Sequence, residues 1–287
     1  MLFRSRKISI LLTLVIVVSS ALLLAACNQS ESTSTTNPVV DVTTSEPAAD
    51  VLICGVTNFE PMNYKDENGD WIGFDTEFAQ LVAKKLGMEA RFQEIEWGNK
   101  YLELDAGSIS CIWNGFTANS LDEGIRRSDK VDFSYSYMLN QQCVVVKALD
   151  VDDYTSTETL AGKKAVAEKG SAGEAAATEI VGEGATVLGV TAQVNAFTEL
   201  KSGASDFAVV DILLAQKLVG KGDYADLAIA DIELDSELYA IAFKKGSSLT
   251  AKVNEVILEL EKSGELQELA EKYHLENSLK VNQDPID

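Results

Sequence analysis

The sequence predicts an α/β protein built from two similar halves. Three observations carry this reading. Short apolar runs alternate with segments whose apolar residues recur at helical spacing. A stretch of the first half is echoed in the second. The 287 residues, 46% of them hydrophobic, are enough for one large domain or two ordinary ones.

The pattern starts only after residue 50. Arg4, Arg6 and Lys7 precede an uncharged, mostly apolar run of 19 residues, 8–26, which ends Leu24-Ala25-Ala26-Cys27. A basic start, an apolar core and small residues before a cut site describe an export signal. Cys27 directly after Leu-Ala-Ala resembles a bacterial lipobox, in which that cysteine is lipid-modified and becomes the mature N-terminus. An uncleaved membrane helix is the alternative, since 19 apolar residues nearly span a bilayer. Residues 28–50 are rich in Ser and Thr, contain Pro38 and Pro47, and carry no aromatic or basic residue. Such a segment cannot bury enough surface to fold, and reads as a tether.

The folded part begins with a buried-type strand at 51–57. Residues 65–70 form a turn, with Gly69 available for positive φ. Phe74, Phe78, Leu81, Val82 and Leu86 mark a helix that Gly87 stops. A strand at 90–95, a short helix ending at Gly107 and a strand at 110–113 follow, and a strand at 142–147 leaves this half. After the acidic loop 150–153, strands are expected at 164–167, 186–190, 207–210 and 237–243. Helices are expected over 171–180, 192–201, the run marked by Val253, Val256, Ile257 and Leu260, and 265–273. Strands alternating with helices imply βαβ units and largely parallel sheets.

The internal echo aligns residues 101–107 with 197–203 without gaps; each is a helix closed by Gly and followed by an apolar strand. In the same register Gly115 falls opposite Asp211. The echo therefore expects both at the carboxyl ends of matched strands, where open α/β sheets bind ligands.

Composition narrows the function. The chain has 24 basic and 45 acidic residues, a formal charge of −21. No basic stripe exists to neutralise phosphates, so a nucleic-acid partner is not expected. Cleavage before Cys27 leaves 21 basic against 45 acidic residues, so the mature chain would need its anchor to stay on anionic lipid. The only histidine, His274, and the absence of CxxC spacing argue against metal sites. Without a Gly-x-x-x-x-Gly-Lys loop the chain hydrolyses no ATP itself. No cofactor or metal is expected. Cys54, Cys111 and Cys143 sit in strand-like apolar runs and read as buried thiols, with a Cys54–Cys111 disulfide as the alternative.

Several stretches together resemble a known family. They are Phe59-Glu60-Pro61-Met62, residues 64–69, Ile72-Gly73-Phe74-Asp75, Trp113-Asn114-Gly115-Phe116-Thr117, Arg127, residues 131–137, residues 160–164, Gly170-Ser171 and residues 205–211. In order and spacing they resemble the extracytoplasmic solute-binding proteins of polar amino-acid ABC importers. The resemblance implies a two-lobe, type II periplasmic-binding-protein-like fold, each lobe a mostly parallel sheet flanked by helices. Lobe 1 would be 51–145 plus 240–287 and lobe 2 146–239, joined by two hinge crossovers that close over a free amino acid. A membrane permease would receive the ligand, and a monomer is expected.

A zwitterion taken out of water needs a partner for each charge. The resemblance makes Arg127 the carboxylate ligand, a bidentate fork that Lys cannot copy, with Arg126 as the alternative. It also implies contacts from Asn114, Gly115 and Thr117, from Ser171 and Ala172 at a helix start, and from Asp211 to the ammonium. Phe59 matches an aromatic wall. The side-chain pocket would draw on Thr57, Glu60, Trp113 and Glu168. Thr57 stands where relatives for cationic side chains often carry an acid, which slightly favours a polar, uncharged ligand; Glu60 and Glu168 could restore an acid from other directions. Two rivals remain. One is an enzyme on the same scaffold, similar to cyclohexadienyl dehydratase, for which only Glu60 and Glu168 offer acids. The other is a ligand-sensing lipoprotein.

Overall fold

A computed structural model describes residues 50–286. The export signal, Cys27 and all of the tether but Asp50 lie outside the described residues. Among the described residues no helix is long and apolar enough to cross a membrane.

The first half opens with β1 (Asp50–Val56), α1 (Phe74–Lys85), β2 (Met88–Glu94), α2 (Lys100–Ala106) and β3 (Cys111–Ile112). Phe74, Phe78, Ala79, Val82 and Ala83 of α1 are buried against Leu52, Cys54 and Val56 of β1. Asp75 and Glu77 in the first turn and Lys84 and Lys85 in the last suit the helix dipole. A short strand, β4 (Asp132–Phe133), and a long one, β5 (Ser136–Lys147), follow.

The second half runs β6 (Ala165–Glu168), α3 (Ala172–Val181), β7 (Val187–Val190), α4 (Gln193–Ser202), β8 (Phe207–Asp211), α5 (Ile212–Leu218) and β9 (Leu227–Ile229). The chain then returns through β10 (Ser236–Tyr239) and β11 (Ala242–Phe243) to α6 (Ser248–Ser263), α7 (Glu265–Lys272) and β12 (Leu279–Asn282).

The first sheet has five strands in the order β2-β1-β3-β11-β4. The second carries β7-β6-β8-β5-β9, with β10 and β12 pairing the start of β5. In each, three strands are parallel, as βαβ units require, and the returning strands add antiparallel pairs. Four of the five strands on each main path run the same way, so the sheets are mostly parallel with one opposed strand, β11 in the first and β5 in the second. The second sheet is buried on both faces. Val144, Val146, Ala165, Ala167, Phe207 and Val209 face one cluster, and Cys143, Val145, Val166, Ala208 and Val210 the other. This explains its unbroken apolar runs.

Residues 142–147 of β5 pair only with β8 and β9, whereas 138–141 pair with β10. The expected strand 237–243 is two strands, because its first part pairs with β5 and its last with β3 and β4. The echo is structural: Gly107 (φ 75°) and Gly203 (φ 80°) both close their helices in the left-handed conformation. Cys54 and Cys111 face each other on β1 and β3 as free thiols, with sulfurs 3.7 Å apart.

Candidate functional site

The ends of the matched strands meet at one small, nearly filled cavity. Its walls are Trp97, Asn114, Gly115, Thr117 and Arg127 from the first half, Gln142 from β5, and Glu168, Ser171, Ala172, Gln193 and Asp211 from the second. Eight residues expected from sequence come together here: Asn114, Gly115, Thr117, Arg127, Glu168, Ser171, Ala172 and Asp211.

Arg127 opens the short helix Arg127–Lys130 and is 1% exposed. Its Nε donates to Asp122 Oδ1 at 2.8 Å, its Nη1 to the Thr117 carbonyl at 2.8 Å and its Nη2 to the Gly170 carbonyl at 3.3 Å. The guanidinium also lies 4.9 Å from the centre of the Phe116 ring. Three of five N–H donors are thus engaged and the planar group is fixed. Arg126 instead is exposed and pairs with Asp129, so the structure distinguishes the two arginines by burial. Lys100 reaches the same Gly170 carbonyl at 2.8 Å, over the rings of Trp97, Tyr101 and Phe116. Burial, helped by the Arg127 charge, lowers its ammonium to about 7.

Asp211 ends β8. Its Oδ1 accepts from Asn140 at 2.5 Å, Gln142 at 2.8 Å and Tyr239 at 2.7 Å, and its Oδ2 accepts from Gln193. The same Asn140 and Gln142 amides donate to Glu237, which also accepts from Thr117 Oγ1 at 3.1 Å. Burial raises Asp211, and raises Glu237 to about 7 with the Asp211 charge adding to it. Glu168 at the end of β6 is 3% exposed; its Oε1 has no hydrogen-bond partner, and burial pushes its carboxyl well up. Ser171 caps α3, accepting from the Glu174 amide at 3.0 Å.

Gly115 adopts φ 53°, and a Cβ there would lie 2.6 Å from Phe59 and 2.8 Å from Tyr239. Asp75 holds it from behind: Oδ2 accepts the Gly115 amide at 2.6 Å and Oδ1 the Tyr137 hydroxyl at 2.8 Å. Burial raises the Asp75 carboxyl to about 7. Within and around the cavity, the acids Asp75, Asp122, Glu168, Asp211 and Glu237 face the basic groups Arg127 and Lys100, with Lys130 also paired to Asp122.

Four expected residues lie outside this lining. Phe59 is not a cavity wall but packs edge-on against Tyr239, ring centres 6.4 Å apart, behind Gly115. Thr57 is spent on Asn114, its hydroxyl 2.6 Å from Oδ1. Glu60 is partly exposed and pairs with Lys217 at 3.3 Å. Trp113 is core, 5.1 Å edge-on to Phe78. In their place the cavity gains Trp97, Gln142 and Gln193. The polar run Asn140-Gln141-Gln142 ahead of an apolar strand was the available signal for one of them.

The sequence profile described as bacterial extracellular solute-binding proteins, family 3, matches residues 51–276. The chain belongs to that family. Each relative below carries a name of the same kind. The chain is 31% identical over 216 residues to the L-cystine-binding protein TcyJ of Escherichia coli (strain K12), covering 75% of this chain and 79% of that one. It is similar to the solved structure of an ancestral arginine-binding protein bound to arginine, at 34% identity and a TM-score of 0.71, covering 78% of this chain and 97% of the other. It is also similar to an ancestral amino acid-binding protein described as a precursor of cyclohexadienyl dehydratase, at 30% identity and a TM-score of 0.68, covering 78% and 95%. The two-lobe fold follows from these likenesses and from the two sheets.

Proposed function

We propose that the protein captures an amino acid between its two lobes and delivers it to the permease of an ABC importer. The observation that carries this is Arg127 and Asp211 buried on opposite sides of one cavity. Arg127 takes the ligand carboxylate with its remaining N–H donors, exchanging the long contact to Gly170 for it. Asp211 Oδ2, with a single side-chain donor, has room for the ammonium. Thr117 and the start of α3 complete the carboxylate side. The lobes hinge where residues 138–141 pair with 236–239, and a lipid on Cys27 tethers the domain outside the cell through residues 28–50.

Capture, not turnover, is the reading, supported by relatives that carry the names of binding proteins. Return of intact ligand from the complex separates capture from catalysis.

The test is direct binding to two variants. Arg127→Ala should weaken binding by about 2–5 kcal/mol, a factor on the order of 100 or more. Arg126→Ala, whose exposed ion pair is worth little, should stay within about twofold. Unchanged affinity in folded Arg127→Ala would sink the carboxylate assignment.

A further inference from the structure

We infer that the ligand carries a second positively charged nitrogen beyond its α-ammonium, and that Glu168 receives it. This deepens the amino-acid reading above and rests on it. Glu168 lines the cavity at 3% exposure, and its Oε1 has no donor. Among the described residues no basic group comes within 4.0 Å of it, although the ion pairs around Asp122, Glu60 and Asp132 are all formed. Lys100 is the basic residue whose charge Glu168 feels, but its ammonium is committed to the Gly170 carbonyl and three aromatic rings. A buried carboxylate without a partner is costly, and proteins keep one where a partner arrives.

A ligand bearing only the α-carboxylate and α-ammonium cannot be that partner. Its two charges are used by Arg127 and Asp211, and Glu168 is left without a donor. A third, cationic group supplies that donor. Two neighbours suit it: Gln142 Oε1 is a second buried acceptor without a donor, and Trp97 presents an aromatic wall. The uncharged Thr57, which favoured a neutral ligand in the sequence, lies behind Asn114 and not on the cavity.

The same chemistry is offered by a basic side chain and by the far amino group of a doubled amino acid. Titration calorimetry of the purified protein with arginine, lysine, cystine and glutamine distinguishes them, glutamine being the uncharged comparison. At least one of the first three should bind about tenfold or more tighter than glutamine. Glu168→Gln should weaken that ligand by a factor on the order of 100 while shifting glutamine by less than about threefold. Tightest binding by arginine or lysine assigns the basic side chain, and by cystine the second amino group. Glutamine binding as tightly as the others, or a folded Glu168→Gln that binds them unchanged, overturns the inference and leaves amino-acid capture standing. Binding of no amino acid by the wild type overturns both. If Glu168→Gln does not fold, the wild-type ranking alone decides.

Discussion

At the level of single residues, the site depends on groups that sit behind the cavity as much as on its walls. Gly115 is the clearest case, since its positive φ and two ring contacts leave no room for a methyl group. Gly115→Ala should cost about 2–4 kcal/mol, combining left-handed strain with overpacking. A thermal melt should then fall by roughly 5–15 °C; an unchanged Tm would mean that Phe59 and Tyr239 can retreat freely. Most of the residues that reach the cavity were legible in the sequence because motif order carried them there. Phe59, Thr57, Glu60 and Trp113 lie off the lining, since position along a motif does not say which way a side chain points. Glu237 was missed because a carboxylate within an otherwise strand-like run reads as a solvent-facing residue; only Asn140 and Gln142 on the adjoining strand explain its burial.

Among the secondary-structure elements, α1 joins the core to the site through Asp75. This carboxyl lies near 3.8 when unperturbed and about 7 in the fold. The native state thus holds more protons than the unfolded chain between those values, and stability falls as pH rises through that window. Glu237, also raised to about 7, acts in the same direction. The slope reaches up to about 1.4 kcal/mol per pH unit for each such group. Denaturant unfolding at pH 5 and pH 8 should show greater stability at pH 5. Asp75→Asn, which keeps an acceptor for the Gly115 amide, should flatten the difference; an equally steep slope in the variant would place the titration elsewhere. Helices and parallel strands were readable because their apolar spacing and glycine stops are local properties. The division of 237–243 and the existence of β12 were not, because each is decided by which distant strand is available: β10 and β12 both pair with the start of β5. A sequence such as Leu279-Lys280-Val281-Asn282 carries little strand preference of its own.

For the whole molecule, capture and stability are one equilibrium. A ligand held only by the closed, folded form stabilises it by about 2.7 kcal/mol at 100 times its dissociation constant. For a chain of this size Tm should then rise by roughly 5–10 °C. Small-angle scattering should show a lower radius of gyration with ligand than without, if the lobes swing about 138–141 and 236–239; an equal radius in both states would mean that ligand enters without closure. The two-lobe plan was legible because the internal echo and the order of motifs are global features of the chain. The balance of buried charge was not, because it depends on which acids the two lobes enclose together. The central claim, capture of an amino acid, is tested most directly by titration calorimetry of the wild-type protein, freed of co-purified ligand by unfolding and refolding, against the amino acids and cystine. Saturable binding of one ligand per chain, confined to a few amino acids and with the ligand recovered intact, is the expected result; refolded protein that binds none of them would contradict it.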